Sequence, residues 1–281
     1  MMKIAFSPCP NDTFVFHAWV HGLLPGAPKL DVTYADIDIT NNLAANPGGP
    51  DVLKISYAAL PWVLSEYALL PCGGALGRGC GPLVLTRNNV SATKDPAILT
   101  GRRVAVPSER STAYMLFRLW AAEQVPGGVG EIVVMPFQEI MPAVRDGAID
   151  AGLVIHEARF TYPSYGLSLL TDLGSWWEGD ANQPIPLGAI IAHRSLDLKS
   201  IAAWTRASVE YAWAHPEMSR DYIMQHAQEM DPIVAQAHID LYVNEFTADL
   251  GELGYTAVTT LLSRASQVGL IPEFDLSLLR Y

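Results

Sequence analysis

The pattern of apolar and polar positions predicts short strands that alternate with helices along much of the chain. Short apolar runs that contain β-branched residues and are bounded by glycine, proline or polar residues indicate strands. The pattern predicts strands at Lys3–Phe6, Leu30–Ala35, Val52–Ile55, Pro82–Thr86, Arg103–Val106, Glu131–Met135, Ala151–Ile155 and Leu187–Ala192.

Capping residues and longer amphipathic stretches predict the helices. Small polar residues that follow a strand can cap the next helix, so Asn11 or Asp12 is expected to cap the first one. The predicted helices are Thr13–Leu24, Tyr57–Glu66, Thr112–Gln124, Gln138–Asp146 with an interruption near Pro142, Leu198–His215, Met218–Glu229, Pro232–Phe246 and Tyr255–Val268.

The order of these elements predicts an α/β protein with two lobes. The middle of the chain alternates strand and helix, which is typical of a parallel α/β unit. The strand Leu187–Ala192 can return the chain to the first lobe. We therefore predict a discontinuous α/β domain of residues 1–87 and 188–281 and a second α/β domain of residues 88–187. A ligand cleft is expected between the lobes, because pockets often occur at domain interfaces.

The charge of the chain limits its partners. The formal net charge of −11 argues against nucleic acid and anionic membrane surfaces, since both require basic patches. The same charge would repel an anionic substrate at long range. A site for such a substrate must therefore carry local positive potential.

Three further features of the sequence predict a cytoplasmic protein. The N-terminal segment lacks the apolar core and cleavage site of a signal peptide. No apolar run approaches the length needed to span a membrane. The odd number of cysteines, Cys9, Cys72 and Cys80, indicates reduced thiols. The chain also lacks CxxC and HExxH motifs, so we expect no metal site.

The stretch Gly147–Tyr162 contains the main candidate for catalysis. Its apolar run Ala151–Ile155 predicts a buried strand, and polarity changes abruptly at His156. In open α/β sheets, ligands lie beyond the carboxyl ends of the strands. A histidine there can titrate near neutral pH and transfer protons. The alternative is a histidine that caps the strand and bonds a backbone carbonyl.

Three predicted strand-to-helix turns, which contain Asn11, Ser56 and Ser111, share one arrangement. Each opens a helix with small polar residues, and helix N-termini bind carboxylates or phosphates through free N–H groups and the positive end of the dipole. If the turns face one cleft, they supply the local positive potential that an anionic ligand needs, with help from Lys54, Arg78 and Arg110. The alternative is that they are ordinary helix caps. The residues expected to bind ligand are Asn11, Ser56, Ser111 and Thr112.

The glycine-rich segment Gly73–Gly81 does not indicate a nucleotide site. It matches neither the dinucleotide-binding pattern nor the P-loop pattern. Its glycines are better explained by close approach of backbone to a ligand or by a hinge.

Several long motifs resemble the 1,4-dihydroxy-6-naphthoate synthases, lyases of the futalosine route to menaquinone. In order along the chain they are SPCPNDTF, DVLKISYAALP, LGRGCGPLV, FQEIMPAVRDGAIDAGLVIHEARFTY and PIPLGAI. The resemblance continues through HAQEMDP and HIDLYVNEFTADLG, so it covers most of the chain.

The resemblance implies a fold, a reaction and roles for individual residues. The implied fold is that of the type 2 periplasmic binding proteins, with two α/β lobes around a cleft. The implied substrate is cyclic dehypoxanthinyl futalosine, a small-molecule carboxylate, and no cofactor is required. His156 matches the proposed base of the family. Ser56, Ser111 and Thr112 match positions expected to hold polar groups of the ligand.

Two other functions remain open from the sequence. One is the chorismate dehydratase of the same pathway, which has the same fold, although the SPCPNDTF and IHE motifs favour the synthase. The other is a cytoplasmic protein that binds a carboxylate ligand without chemistry. The expected oligomeric state is a monomer or a homodimer.

We expect metal chelation to leave turnover of the cyclic substrate unchanged, because the sequence lacks ligands at common metal-binding spacings. The measurement is the initial rate before and after dialysis against a chelator, with a mock-dialysed sample as control. Loss of activity that one added divalent ion restores would contradict this expectation.

Overall fold

A computed structural model of the chain describes residues 1–88, 94–227 and 231–281. The strands are β1 (Met2–Phe6), β2 (Leu30–Tyr34), β3 (Val52–Ser56), β4 (Tyr67–Leu69), β5 (Ala75–Gly77), β6 (Leu83–Arg87), β7 (Val104–Val106), β8 (Ile132–Val134), β9 (Ala151–Val154), β10 (Leu167–Asp172) and β11 (Ile185–His193). The helices are α1 (Pro10–Val20), α2 (Ile37–Ala45), α3 (Thr112–Gln124), α4 (Phe137–Arg145), α5 (Ala158–Thr161), α6 (Leu173–Ala181), α7 (Leu198–Ala214), α8 (Arg220–His226), α9 (Pro232–Tyr242), α10 (Glu245–Ala248) and α11 (Gly251–Gln267).

The chain divides into two compact units. One consists of Met1–Gly77 with Pro186–Tyr281, and the other of Arg78–Ile185. The boundary that the sequence placed near Arg87 assigned β6 to the first domain. In the structure β6 belongs to the second unit, because it pairs with β9 and β10. A local sequence pattern identifies a strand but does not identify its partners.

The first unit contains a mixed sheet with the strand order β2-β1-β3-β11-β4, and β5 pairs with β11. β1 runs parallel to β2 and β3, whereas β11 runs antiparallel to β3 and β4. Helix α1 is buried from Pro10 to Trp19. The ring of Phe16 on this helix stacks on Phe6 of β1, with 4.7 Å between centroids. The polar residues of α1 therefore need partners inside the core.

The second unit contains a sheet with the strand order β10-β6-β9-β7-β8. β7 is parallel to both β8 and β9, so the predicted β-α-β-α-β unit is confirmed. Helix α4 covers this sheet through Ile140 and Val144, both of which are buried. Gly152 of β9 allows the close approach, because a Cβ there would lie 2.5 Å from Ile140 Cγ2.

Several predicted elements differ from the structure. Helix α1 begins at Pro10 instead of Thr13, because proline at the first helical position has the helical φ and needs no N–H partner. Tyr57–Trp62 forms a 3₁₀ helix that ends well before the predicted Glu66. Pro142 lies inside a continuous α4, so the predicted interruption is wrong. The sequence pattern did not predict α2, α5, α6, β4, β5 or β10.

Parts of two predictions lie outside the described residues. The polar, proline-containing stretch Arg87–Gly101 predicts a crossover, and its positions 89–93 are not described. The end of the helix predicted to reach Glu229 is not described either. Within the described ranges, no helix combines the length and apolar character needed to cross a membrane.

A cluster of histidine and tyrosine rings joins α1, β2 and α8 in the first unit. His17 and His21 lie with ring centroids 4.4 Å apart, and Tyr222 contacts both. The hydroxyls of Tyr34 and Tyr222 are 2.8 Å apart, and His226 stacks on Tyr34 at 4.0 Å. Burial, followed by the nearby His21, lowers the pKa of both His17 and His226. The folded state therefore favours the neutral forms of His17 and His226.

We expect the stability of the protein to fall as the pH drops below about 6.5, the usual histidine pKa. The unfolded chain then takes up a proton that folded His17 does not accept until its own lower pKa is reached. The urea-unfolding midpoint at pH 7.5 and pH 5.5 measures this loss.

His17→Phe should make the drop in the midpoint smaller, because it retains a ring and removes a titrating group. The substitution suits the site, since Nδ1 of His17 has no hydrogen-bond partner in the part of the chain that is described. His215→Gln, at an exposed histidine, is the control and should leave the drop unchanged. A drop of the same size in His17→Phe and in the parent protein would contradict the expectation.

Candidate active site

His156 lies just after the carboxyl end of β9 and has an unusual backbone conformation. Its φ is +54°, in the left-handed region that residues other than glycine seldom adopt. Its carbonyl accepts a 3.2 Å hydrogen bond from the backbone N–H of Arg159. The ring of Phe137 lies edge-on to the imidazole, with 5.5 Å between centroids. Strained residues of this kind cluster at functional sites, because the surrounding structure must hold them in place.

Helix α3 follows β7 and begins at Thr112, as the sequence predicted. The Oγ of Ser111 accepts a hydrogen bond from the N–H of Tyr114 at 3.1 Å and donates one to the carbonyl of Ser108 at 2.9 Å. The hydroxyl of Ser111 therefore caps the helix. The buried residue Thr112 occupies the first position, where helical N–H groups lack partners within the helix.

Parallel pairing brings these groups to one edge of the second sheet. β7 lies between β8 and β9, and all three strands run in the same direction. Thr112, Phe137 and His156 each follow the carboxyl end of one of these strands. This edge is where ligands bind in open α/β sheets. The structure thus places the predicted base and the predicted anion-binding helix at the same edge of the second unit.

Asn11 does not cap a helix, contrary to the prediction for Asn11 or Asp12. Helix α1 has Cys9 at its N-cap, so both residues lie inside the first turn. The amide of Asn11 donates a 2.9 Å hydrogen bond to the carboxylate of Asp12. That carboxylate also pairs with Lys54 at 2.5 Å, and both charged side chains are buried. Lys54 is therefore held by Asp12, because a buried charge requires an opposite partner.

Ser56 is held by a residue that the sequence analysis missed. The Oδ1 of Asn41 accepts a 2.8 Å hydrogen bond from the backbone N–H of Ser56, and its Nδ2 donates one to the Oγ at 3.1 Å. Ser56 is the N-cap of the 3₁₀ helix Tyr57–Trp62, but its hydroxyl makes no capping bond. Because the Oγ accepts from Asn41, its own O–H can be donated to a ligand oxygen. Asn41 lies on α2, a helix that the sequence pattern did not predict.

Two of the three cysteines do not offer an activated nucleophile. Burial raises the pKa of Cys72 and of Cys80 to about 12, so both remain protonated thiols. Cys9 is also buried, and its sulfur accepts a 2.9 Å hydrogen bond from the hydroxyl of Ser7. Cys72 and Cys80 are therefore unreactive, because the thiolate is the nucleophilic form of cysteine.

The chain matches one protein family over nearly its whole length. The family model described as menaquinone biosynthesis matches residues 2–267. A 1,4-dihydroxy-6-naphthoate synthase from Streptomyces coelicolor is 68% identical over 274 residues, which is 96% of this chain and 95% of that protein. A protein of the same name from Thermus thermophilus is 44% identical over 272 residues, with the same coverage of both chains.

Solved structures confirm the predicted fold class. A protein from Archaeoglobus fulgidus has a TM-score of 0.86 and 32% identity, covering 96% of this chain and 98% of that one. The periplasmic aliphatic sulphonate-binding protein of Escherichia coli has a TM-score of 0.69 at 15% identity, covering 100% of this chain and 91% of that one. The second likeness concerns the fold alone, which is the periplasmic-binding-protein type. Together with the family match, these findings confirm the resemblance seen in the sequence motifs: the chain belongs to the menaquinone biosynthesis family.

Proposed function

We propose that this protein is the lyase that converts cyclic dehypoxanthinyl futalosine to 1,4-dihydroxy-6-naphthoate. The names of the relatives at 68% and 44% identity support this reaction. The observation that carries the proposal is His156, a strained histidine at the carboxyl end of a buried strand, at the same sheet edge as the start of α3.

His156 acts as the general base in this proposal. It removes a proton next to a carbonyl of the substrate, and the enolate that forms expels the sugar-derived fragment. The remaining ring becomes aromatic, which supplies driving force without a cofactor. A base that is already fixed in position lowers the barrier, because the reacting groups need no further ordering.

The start of α3 binds the substrate carboxylate in this proposal. Helix N-termini attract anions through their free N–H groups and the positive end of the helix dipole. Thr112 adds a side-chain hydroxyl at the first helical position, and Ser111 fixes the turn as the cap. This local attraction is needed because the formal net charge of the chain is −11.

Ser56 and Asn11 of the first unit are proposed as further ligand-binding residues. Ser56 is the stronger candidate, because Asn41 holds both its backbone N–H and its Oγ and leaves its O–H to donate. Asn11 donates one of its two amide N–H groups to Asp12, so its second N–H and its Oδ1 are the groups that it can offer to a ligand.

The two alternatives receive less support. The names of the relatives do not favour chorismate dehydratase. The likeness to the sulphonate-binding protein, at 15% identity, supports a common fold but no common ligand.

The proposal includes a cytoplasmic location, because the three cysteines are free thiols and a reducing compartment keeps them so.

The experiment that tests the function is incubation of the purified protein with cyclic dehypoxanthinyl futalosine. The reaction creates the fused naphthoate ring system, so it can be followed directly through the naphthoate absorbance. Chorismate in a parallel reaction tests the dehydratase alternative. Binding of the cyclic substrate without any product would favour the non-catalytic alternative and would overturn the proposed function.

His156→Asn should lower kcat by roughly 10²- to 10⁴-fold, the usual effect of removing a general base. Asparagine tolerates the left-handed backbone and lacks a basic nitrogen, so the fold should persist. His156→Ala should lose a similar factor, and circular dichroism checks that both variants fold. Turnover near the parent rate in either folded variant would show that His156 is not the base.

Thr112→Ala should weaken binding of the product naphthoate by about 10- to 100-fold, the value of a hydrogen bond of roughly 1.5–3 kcal/mol to a charged group. The loss should be partial, because the backbone N–H groups of α3 remain. The measurement is the Kd of the naphthoate and of an analogue that lacks the carboxylate, in the parent and in the variant.

The analogue should bind the parent weakly and should bind Thr112→Ala about as well, because the lost contact involves only the carboxylate. Ser111→Ala is the matched comparison and should lower stability by about 1 kcal/mol through the lost cap. Equal weakening of both ligands in Thr112→Ala would identify Thr112 as a structural residue and place the anchor elsewhere.

A further inference from the structure

Arg159 connects the turn at His156 to two other segments of the second unit. Its backbone N–H donates to the carbonyl of His156 at 3.2 Å. Its guanidinium donates to the carbonyl of Gly81 through Nη1 at 2.7 Å and to the carboxylate of Asp172 through Nη2 at 2.6 Å. The two charged side chains of this ion pair are only 18% and 15% exposed. The pair is therefore screened by solvent less than a surface pair would be.

The partners of Arg159 are themselves fixed. Asp172 is the N-cap of α6, because its Oδ1 accepts hydrogen bonds from the N–H groups of Gly174 and Ser175. Gly81 and Gly174 lie in backbone contact, since a Cβ built on Gly81 would be 2.1 Å from the nitrogen of Gly174. The N–H of Leu173 also donates to the carbonyl of Pro82 at 2.9 Å. The guanidinium thus binds the segments at Gly81 and Asp172, which also contact each other through their backbones.

The turn at His156 needs such support. A left-handed backbone is unfavourable for a residue other than glycine, because its Cβ comes too close to the following carbonyl oxygen. Helix α5, which follows the turn, has only 4 residues, and a single helical turn is unstable on its own. The local sequence therefore does not hold His156 in this conformation, and contacts from outside the turn must do so.

We propose that Arg159 is a positioning residue that holds His156 in its left-handed conformation through the ion pair with Asp172 and the bond to Gly81. This role rests on the proposed function in one respect, since His156 is taken to be the base. Loss of the guanidinium would let the turn relax toward ordinary backbone conformations and move the imidazole away from the substrate proton.

Arg159→Gln should lower kcat by about 10- to 100-fold and change KM by less than about twofold, because misplacement of a catalytic group by about 1 Å can cost 100-fold. Arg159→Lys keeps the charge but lacks the fork that reaches both partners, so its kcat should lie between those of the parent and Arg159→Gln. Arg145→Gln is the matched control. It removes a pair with Asp146 that lies on the surface of the same unit, and it should leave kcat unchanged.

A double variant tests whether Arg159 acts through His156. In a His156→Asn background, Arg159→Gln should lower the residual kcat by less than about twofold, because the group it positions is already absent. A loss as large as in the parent background would overturn the proposal, since Arg159 would then act independently of His156.

A spectroscopic measurement tests the positioning without relying on turnover. The chain contains 7 histidines, so selective ¹⁵N labelling gives a small set of signals that single substitutions can assign. In Arg159→Gln the backbone and ring signals of His156 should shift or broaden, while those of His193 in the first unit stay in place. Unchanged His156 signals would overturn the proposal even if kcat fell.

A second variant, which changes the partner of Arg159 in the ion pair, tests the proposal even if Arg159→Gln fails to fold. Asp172→Asn keeps an acceptor for the α6 cap but removes the charge that faces Arg159, so it should produce a weaker form of the same kcat loss and the same shift of the His156 signals. Parent-like kcat and spectra in folded Asp172→Asn and Arg159→Gln would overturn the proposal.

Failure of the proposed function can be distinguished from failure of this proposal. If the parent protein does not turn over the cyclic substrate, the proposed function fails, whereas the histidine spectra still decide whether Arg159 positions His156.

Discussion

The parallel pairing of β7 with both β8 and β9 is the constraint on which the candidate active site depends. It brings the carboxyl ends of three strands to one sheet edge, and a different structural feature follows each end. A capped helix start follows β7, an aromatic ring follows β8, and a left-handed histidine follows β9. Residues separated by more than forty positions in sequence therefore share an edge because their strands do.

Burial forces the polar groups of the first unit into fixed pairs. Lys54 and Asp12 lie in the core and bind each other, and Asn41 binds the backbone N–H and the Oγ of Ser56. Such pairs lower the desolvation cost of burial and also fix the direction in which each remaining donor or acceptor points. Donors that are fixed before the ligand arrives cost little to order during a reaction.

The fold alone does not distinguish an enzyme from a binding protein. A periplasmic sulphonate-binding protein has the same fold at 15% identity, so the likeness in fold carries no information about chemistry. The family match carries that information, and the residues at the sheet edge of the second unit are the ones proposed to perform the chemistry. His156 is the clearest of them, because its strained backbone requires support that a simple strand-ending residue would not need.

The sequence by itself determined the elements whose signals are local. Apolar runs located β1, β3, β7 and β9 within a residue or two, and the N-cap residue Ser111 marked the beginning of α3. Tertiary structure decided the rest, because its causes are distant in sequence. The pairing of β6 with β9 places β6 in the second unit, although the sequence pattern assigned it to the first domain. Asn41 binds Ser56 from a helix that has no clear local signal in the sequence. The left-handed turn at His156 and its link through Arg159 to Gly81 and Asp172 also depend on contacts between segments far apart in the chain, which a pattern of neighbouring residues does not encode.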